Sequence, residues 1–281
     1  MNPAAIERLL TPWTGTSSPG VVWAVTRGGR ERASGAVGMA DIAQGTPLDR
    51  RSVVRIGSQT KQFTVLLALL LEAEGRLSMA DEVHRYAPWL PPTPWPVTLL
   101  HLATNTSGLR EFLEMLTLGG IPLGAPVSRL DERAVIARHR AVNFQPGTQM
   151  IYCNTGFWLL SEIVEQVAGR SYDELLRERI TGPLGMADTR LLPYDAQIVP
   201  RLSAQHTRGA DGAWWTARWG LALGGEGGMV STLDDMLRWQ RNFAEPRVGS
   251  EALFARMATP ITYANGARGL YAMGLAQERY R

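Results

Sequence analysis

One serine and one lysine in this sequence stand at a spacing that suits nucleophilic chemistry. Ser58 is followed three positions later by Lys61, and a helix brings residues i and i+3 onto the same face. A serine hydroxyl becomes a strong nucleophile when a base accepts its proton, and a lysine removed from water can be that base. The pair therefore predicts Ser58 as a nucleophile and Lys61 as its proton-handling partner.

Lys61 is also the only lysine in the sequence, since the other 28 of its 29 basic residues are arginines. Arginine keeps its proton near neutral pH, whereas a buried lysine can release it. Proton transfer is therefore expected where the lysine stands. Plainer explanations stay open for the pair alone: a codon bias toward arginine, with Ser58 as a helix N-cap and Lys61 as an ordinary first-turn side chain.

A second pair of polar residues lies at Tyr152 and Asn154. Two residues apart in a loop or a first helical turn, their side chains can point to the same side. A cationic lysine nearby can lower the pKa of a phenol, which then acts as a general base, while the amide can hold a substrate carbonyl. Taken in isolation, the pair is equally compatible with a core tyrosine beside an N-cap asparagine.

The surrounding pattern predicts the elements that would hold these residues. A β-hairpin is expected around Gly28-Gly29, and a short strand from Ser52 to Ile56 should lead through Gly57 into a buried helix ending near Glu74. An amphipathic helix is expected from Asn154 to Val167.

The chain as a whole is expected to be an α+β protein of the sandwich type. A final strand over Gly269–Ala276 would join the hairpin in one antiparallel sheet built from both chain ends, with a helical region inserted. This organisation divides the chain into sheet strands with a first helix (1–57), a mostly helical region with both motifs (58–245) and a return to the sheet (246–281).

The two motifs, in this order and separation, resemble those of the penicillin-recognising serine hydrolases, the serine β-lactamase and DD-peptidase superfamily. The Tyr-x-Asn form is similar to the branch of class C β-lactamases, D-aminopeptidases and related esterases. Further stretches that resemble the superfamily are Leu99–Leu109 with Ser107-Gly108-Leu109, Phe144–Asn154, Pro183–Met186, Asp188-Thr189 and Gly227-Gly228 with Ser231.

The resemblance implies an acyl-enzyme mechanism without a cofactor. Ser58 would attack an amide or ester carbonyl, Lys61 and Tyr152 would move protons, Asn154 would contact the substrate, and the Ser58 N–H would supply half of an oxyanion hole. The substrate would be a small molecule or short peptide of the kind cleaved by D-aminopeptidases, D-Ala-D-Ala carboxypeptidases or β-lactamases. Cys153 would be structural.

The resemblance also implies a third motif, Lys-Thr-Gly or His-x-Gly, on a strand that lines the site. No such motif follows Tyr152, and His206-Thr207-Arg208-Gly209 lies too early with a different spacing. We therefore expect a truncated relative that lacks its C-terminal strands. Its activity should be impaired, because loss of one oxyanion donor lowers the catalytic rate by about 10²–10³-fold. An exposed sheet edge would also invite self-association.

Composition narrows the function classes. The charge of +3 is scattered rather than clustered, which argues against nucleic acid as a partner. The longest apolar run, Val65–Leu71, is far shorter than a membrane span of about 20 residues, and the histidines lack metal-ligand spacing. The lack of a basic N-terminal region followed by an apolar one, together with a single cysteine, predicts a cytoplasmic protein.

Two other functions remain open from the sequence. The first is a penicillin-fold binding or regulatory protein that binds a ligand without turnover, which the lack of a third motif favours. The second is a cysteine hydrolase that uses Cys153 with a histidine, although no histidine stands near Cys153 in the sequence.

Overall fold

The computed structural model describes residues 3–278 as a mixture of helices and short strands. The helices are α1 (Pro3–Leu10), α2 (Thr60–Ala73), α3 (Leu99–Ala103), α4 (Phe112–Leu118), α5 (Arg129–Arg138), α6 (Asn154–Ala168), α7 (Tyr172–Leu176), α8 (Gly182–Leu184), α9 (Leu233–Ala244) and α10 (Glu251–Ala258). The strands are β1 (Val21–Arg27), β2 (Arg30–Val37), β3 (Met39–Asp41), β4 (Thr46–Pro47), β5 (Val54–Arg55), β6 (Arg190–Leu191), β7 (Gln205–Arg208), β8 (Trp214–Ala217) and β9 (Met229–Ser231).

The strands form small antiparallel sheets, in agreement with the α+β class. Strand β1 pairs with β2, β3 with β4 and β7 with β8, while β5, β9 and β6 make a three-stranded sheet in that order. The hairpin expected around Gly28-Gly29 is β1–β2, and both glycines have positive φ angles of 58° and 68°, a region that costs glycine little.

The strand predicted over Gly269–Ala276 is wrong. Within the described residues this segment is irregular and forms only an isolated antiparallel bridge between Tyr271 and Ala276. The cause is a turn at Gly274, whose φ of 71° interrupts extended backbone. The Gly274 N–H donates to the Ala103 carbonyl at 3.1 Å, so the segment packs on the helical region.

One large hydrophobic core is organised around α2 and α6, which pack against each other. Helix α2 is buried on nearly every face, as its sequence predicts, and Phe63, Leu66 and Leu69 are fully inaccessible. Burying a large apolar side chain contributes about 1.5–3 kcal/mol, so this pair of helices is a rigid support for what stands at their N-termini. Within residues 3–278, no helix combines the length and apolar character that a membrane crossing requires.

The three-stranded sheet fixes the entrance to α2 against a glycine-rich loop. Strand β5 pairs with β9, and the Ile56 N–H donates to the Met229 carbonyl at 3.1 Å. In return, the Met229 N–H donates to Thr60 Oγ1 at 3.2 Å. The start of α2 and the loop Gly224–Gly228 that precedes β9 are therefore held side by side.

Candidate active site

Ser58 stands in a short 3₁₀ turn, Gly57–Gln59, that runs directly into α2. Gly57 has a φ of 52°, a left-handed conformation that turns the chain sharply from strand to helix. One turn later, Lys61 Nζ lies 3.1 Å from Ser58 Oγ. The i, i+3 spacing thus brings the hydroxyl and the amine into hydrogen-bond contact.

Lys61 is only 1% exposed, and its amine has three acceptors. Nζ donates to Ser58 Oγ, to Asn154 Oδ1 at 2.7 Å and to the backbone carbonyl of Glu226 at 2.5 Å. Three acceptors match the three donors of an ammonium group. Burial nevertheless lowers the pKa of Lys61 to about 8, because desolvation disfavours the charged form. A neutral amine that can accept a proton is therefore within reach near physiological pH.

Tyr152 shares the Ser58 hydroxyl with Lys61. Its phenol donates to Ser58 Oγ at 2.5 Å, and Lys61 Nζ lies 4.7 Å from the centre of its ring. The ring also contacts Tyr271 edge-on, with centroids 6.3 Å apart, and remains 42% exposed. Desolvation raises the pKa of Tyr152, opposite to the direction expected from a nearby lysine, so its neutral phenol is favoured as a proton relay.

Asn154 is the first residue of α6, and its side chain connects Lys61 to a buried carboxylate. Oδ1 accepts from Lys61, while Nδ2 donates to Glu111 Oε1 at 3.3 Å. The backbone N–H of Asn154 also donates to Glu111 Oε2. Glu111 is 9% exposed, and burial raises its pKa. This carboxylate fixes which way the amide faces, with its oxygen toward the lysine.

Sequence reasoning brought forward Ser58, Lys61, Tyr152 and Asn154, and these four side chains are neighbours in the structure. It did not single out Glu111, although Glu111 follows the Ser107-Gly108-Leu109 loop by two residues, which was the available signal. It also did not single out Glu226, whose contact with Lys61 is made through the backbone.

Cys153 lies between Tyr152 and Asn154 but points away from them into the core. The thiol donates to the Leu109 carbonyl at 3.4 Å, and the Cys153 N–H donates to Asn105 Oδ1 at 3.0 Å. Burial raises the pKa of the thiol to about 12, so a reactive thiolate is strongly disfavoured. These contacts argue against a cysteine hydrolase and favour a structural role.

No group of three or more histidine, cysteine or carboxylate side chains within the described part of the chain is arranged to hold a metal ion. The groups that contact one another at the site are the Ser58 hydroxyl, the Lys61 amine, the Tyr152 phenol and the Asn154 amide. A serine hydroxyl in contact with a buried lysine and a tyrosine can support acyl transfer through a serine nucleophile.

The comparison with known families agrees with this arrangement. The sequence matches the Beta-lactamase family model over residues 6–281, and the chain belongs to that family.

Among its relatives, the D-aminopeptidase of Gluconobacter oxydans is 31% identical over 98% of this chain and 51% of its own length. The D-aminopeptidase of Cereibacter sphaeroides (strain KD131) is 32% identical over 92% of this chain and 50% of its own length. The chain thus spans about half the length of the curated relatives it matches.

Solved structures share the fold at lower identity. The octameric penicillin-binding protein homologue from Pyrococcus abyssi superposes with a TM-score of 0.80 at 23% identity, covering 98% of this chain and 64% of that one. The D-stereospecific amidohydrolase from Streptomyces sp. superposes with a TM-score of 0.78 at 24% identity, covering 98% of this chain and 82% of that one. The D-amino acid amidase from Ochrobactrum anthropi SV3 superposes with a TM-score of 0.77 at 22% identity, covering 98% of this chain and 86% of that one.

Proposed function

We propose that this chain carries the nucleophilic site of a serine hydrolase that cleaves amide bonds through an acyl-enzyme, with amides or short peptides of D-amino acids as substrates. The observation that carries the proposal is the double contact of Ser58 Oγ, 3.1 Å from Lys61 Nζ and 2.5 Å from Tyr152 OH. One hydroxyl between a buried amine and a phenol has both a proton acceptor and a relay at hand.

In the proposed reaction, the neutral form of Lys61 accepts the Ser58 proton as Oγ bonds to the substrate carbonyl carbon. As the carbon–nitrogen bond breaks, Tyr152 gives its proton to the leaving nitrogen and receives from Lys61 the proton taken from Ser58, and the amine departs. Water then attacks the ester carbonyl and gives a proton to the neutral Lys61. The bond between the carbonyl carbon and Ser58 Oγ breaks, Oγ takes that proton back through Lys61 and Tyr152, and the acid product leaves. The Asn154 amide, oriented by Glu111, would contact the bound substrate.

The substrate class comes from the relatives rather than from the geometry. Two relatives are named D-aminopeptidases, and the neighbours of known structure include a D-stereospecific amidohydrolase and a D-amino acid amidase. For this chain we infer a small-molecule or short-peptide substrate with a D-configured residue. A penicillin-fold protein that binds without turnover is not favoured by relatives named for hydrolysis.

Labelling with a fluorophosphonate, followed by intact mass and peptide mapping, tests the nucleophile. We expect one adduct per chain on Ser58, none in Ser58→Ala, and wild-type labelling in Ser17→Ala, which changes an exposed serine instead. Folded protein that takes up no label would reject the proposed activity.

A small substrate panel tests the class. D-alanine p-nitroanilide should be hydrolysed faster than its L isomer, and N-acetylation should abolish the reaction if the enzyme is an aminopeptidase. Hydrolysis of nitrocefin would indicate β-lactamase activity, and release of D-alanine from a D-Ala-D-Ala peptide would indicate carboxypeptidase activity, so these two substrates distinguish both activities from that of an aminopeptidase. Equal rates on the D and L anilides would refute the stereochemical part of the proposal.

The finer organisation of the chain is also part of this proposal. We infer that β1–β2 belongs to a larger antiparallel sheet, and that the site is carried by residues 58–245, between the strands of residues 1–57 and the segment 246–281, in which the described residues form α10 and irregular backbone. A second oxyanion N–H would then come from another strand of that sheet. An open edge of this hairpin would permit self-association, which sedimentation at several concentrations would detect. The compartment we propose is the cytoplasm.

A further inference from the structure

A partly buried group of charged side chains lies beside the lysine, and the proposed mechanism does not use it. The group consists of Glu226 in the glycine-rich loop, Arg129 and Glu132 on α5, and Glu162 on α6, called here the Arg129 cluster. Glu226 is 2% exposed and Glu132 is inaccessible. Charged side chains are rarely this buried unless they are paired or functional.

Glu226 contacts the lysine through its backbone and the loop through its side chain. Its carbonyl accepts from Lys61 Nζ at 2.5 Å. Its own carboxylate turns back, and Oε1 accepts from the Gly224 N–H at 2.6 Å. The Gly228 N–H donates to the Gly224 carbonyl at 2.7 Å and closes the turn. The side chain of Glu226 therefore determines where its own carbonyl points.

Arg129 restrains this carboxylate from the other side. Its Nη1 lies 3.6 Å from Glu226 Oε2, and its Nη2 donates to Glu162 Oε1 at 2.6 Å. The guanidinium also stacks 4.3 Å from the ring of Trp158, whose Nε1 donates to Glu132 Oε2 at 2.7 Å. The space is tightly filled, because a Cβ on Gly224 would come within 2.4 Å of Arg129 Nη1.

We propose that Glu226 is a positioning residue for Lys61: its carboxylate, restrained by Arg129, holds the carbonyl that fixes the amine beside Ser58 and supplies a buried negative charge to that amine. The inference rests on the proposed function, since it gives Glu226 a part in preparing Lys61 to accept the Ser58 proton. Glu226 acts through Lys61 and need not touch the substrate.

The electrostatics of the lysine support this role. Burial lowers the pKa of Lys61, and the Glu226 carboxylate opposes this effect more strongly than Glu111 does. Tyr152 is the other titratable group that faces the amine. Without the Glu226 charge, the pKa of Lys61 should fall further below its usual range.

The single lysine of this chain makes the test direct. Protein labelled with [ε-¹³C]lysine, expressed without added lysines, gives one lysine side-chain signal, and its chemical shift reports the protonation of Lys61 as pH varies. We expect a midpoint near pH 8 in the wild type and one about a unit lower in Glu226→Gln. Glutamine can still accept from Gly224, so the change removes mainly charge.

The matched control is Glu162→Gln, which removes a carboxylate that binds the same arginine but lies at the 35% exposed end of the Arg129 cluster. The Lys61 midpoint of this control should equal that of the wild type. Glu226→Asp keeps the negative charge, so its midpoint should lie close to that of the wild type. Because Glu226→Gln leaves Arg129 with one partner fewer, the double variant Arg129→Gln/Glu226→Gln is a second test with the same expected lower midpoint.

Each outcome decides between the two proposals. A Glu226→Gln midpoint that coincides with that of the wild type overturns the positioning role, even if Ser58 reacts with the fluorophosphonate. Loss of cooperative unfolding in both the single and the double variant would make Glu226 a requirement of the fold and would overturn it as well. A shifted midpoint in protein that takes up no fluorophosphonate would support the electrostatic role while rejecting the hydrolase.

Discussion

The phenol of Tyr152 and the hydroxyl of Ser58 are separated by 94 positions in the sequence and by 2.5 Å in the structure. The phenol donates this bond, and the Lys61 amine donates a second one to the same oxygen. In this resting arrangement Ser58 Oγ accepts two hydrogen bonds and has no base. In the proposed reaction the serine becomes a nucleophile when one of the two donors loses its proton, and the lysine, with the lower pKa, is the one expected to do so.

The first prediction concerns the pH dependence of acylation. Because Lys61 must be neutral and its pKa is about 8, the second-order rate of ester or amide acylation should rise with pH to a midpoint near 8. Below it the rate should fall about tenfold per pH unit. Stopped-flow measurement of the first turnover gives this profile, and a rate that stays level well below pH 8 would exclude the lysine as base.

The second prediction concerns the phenol. In Tyr152→Phe the ring still packs against Tyr271 and Lys61, so the fold should be kept. Without a hydroxyl to relay the proton, kcat should fall by about 10²–10⁴-fold while KM changes little. Tyr194→Phe, at an exposed tyrosine, is the control for the substitution itself. Unchanged turnover in Tyr152→Phe would mean that the leaving group is protonated by another route.

The third prediction concerns Glu111, which orients Asn154. Glu111→Gln replaces an acceptor with a donor opposite either Asn154 Nδ2 or the Asn154 N–H, and a donor facing a donor forces the amide to turn. Losing a buried bond of this kind costs about 1–3 kcal/mol, so kcat/KM should fall by about tenfold to 100-fold. Glu114→Gln, on the same helix segment, is the control. Kinetics equal to those of the wild type would contradict the orienting role.

The elements with strong local signals can be predicted from the sequence. The spacing of Ser58 and Lys61 and the capping box of Ser171, observed at α7, involve neighbours in the chain, so pattern and propensity predict them. The boundaries of α2 and α6 follow from glycine and from apolar periodicity in the same way.

Non-local contacts are not predictable by the same means. The Glu226 carbonyl that accepts from Lys61 belongs to the backbone, and no side-chain pattern reports which carbonyl a fold will turn toward a distant amine. The strand predicted over Gly269–Ala276 failed for this reason, because the turn at Gly274 is evident only from its φ angle and from the tertiary hydrogen bond to the Ala103 carbonyl.

The fourth prediction links the site to stability. Folding lowers the pKa of Lys61 from 10.5 to about 8, so between these values the unfolded chain binds a proton there and the folded chain does not. Unfolding then takes up a proton, and raising the pH across this window stabilises the folded protein.

In the unfolded chain the tyrosines and Cys153 also titrate close to this range, so Lys61→Met is needed as the reference. The difference in unfolding free energy, wild type minus variant, cancels those other groups. We expect it to increase by about 3 kcal/mol from below pH 8 to above pH 10.5. Urea unfolding of both proteins at a series of pH values measures it. A difference that is independent of pH would mean that folding leaves the proton affinity of Lys61 unchanged, and the neutral amine on which the proposed chemistry depends would be absent near pH 8.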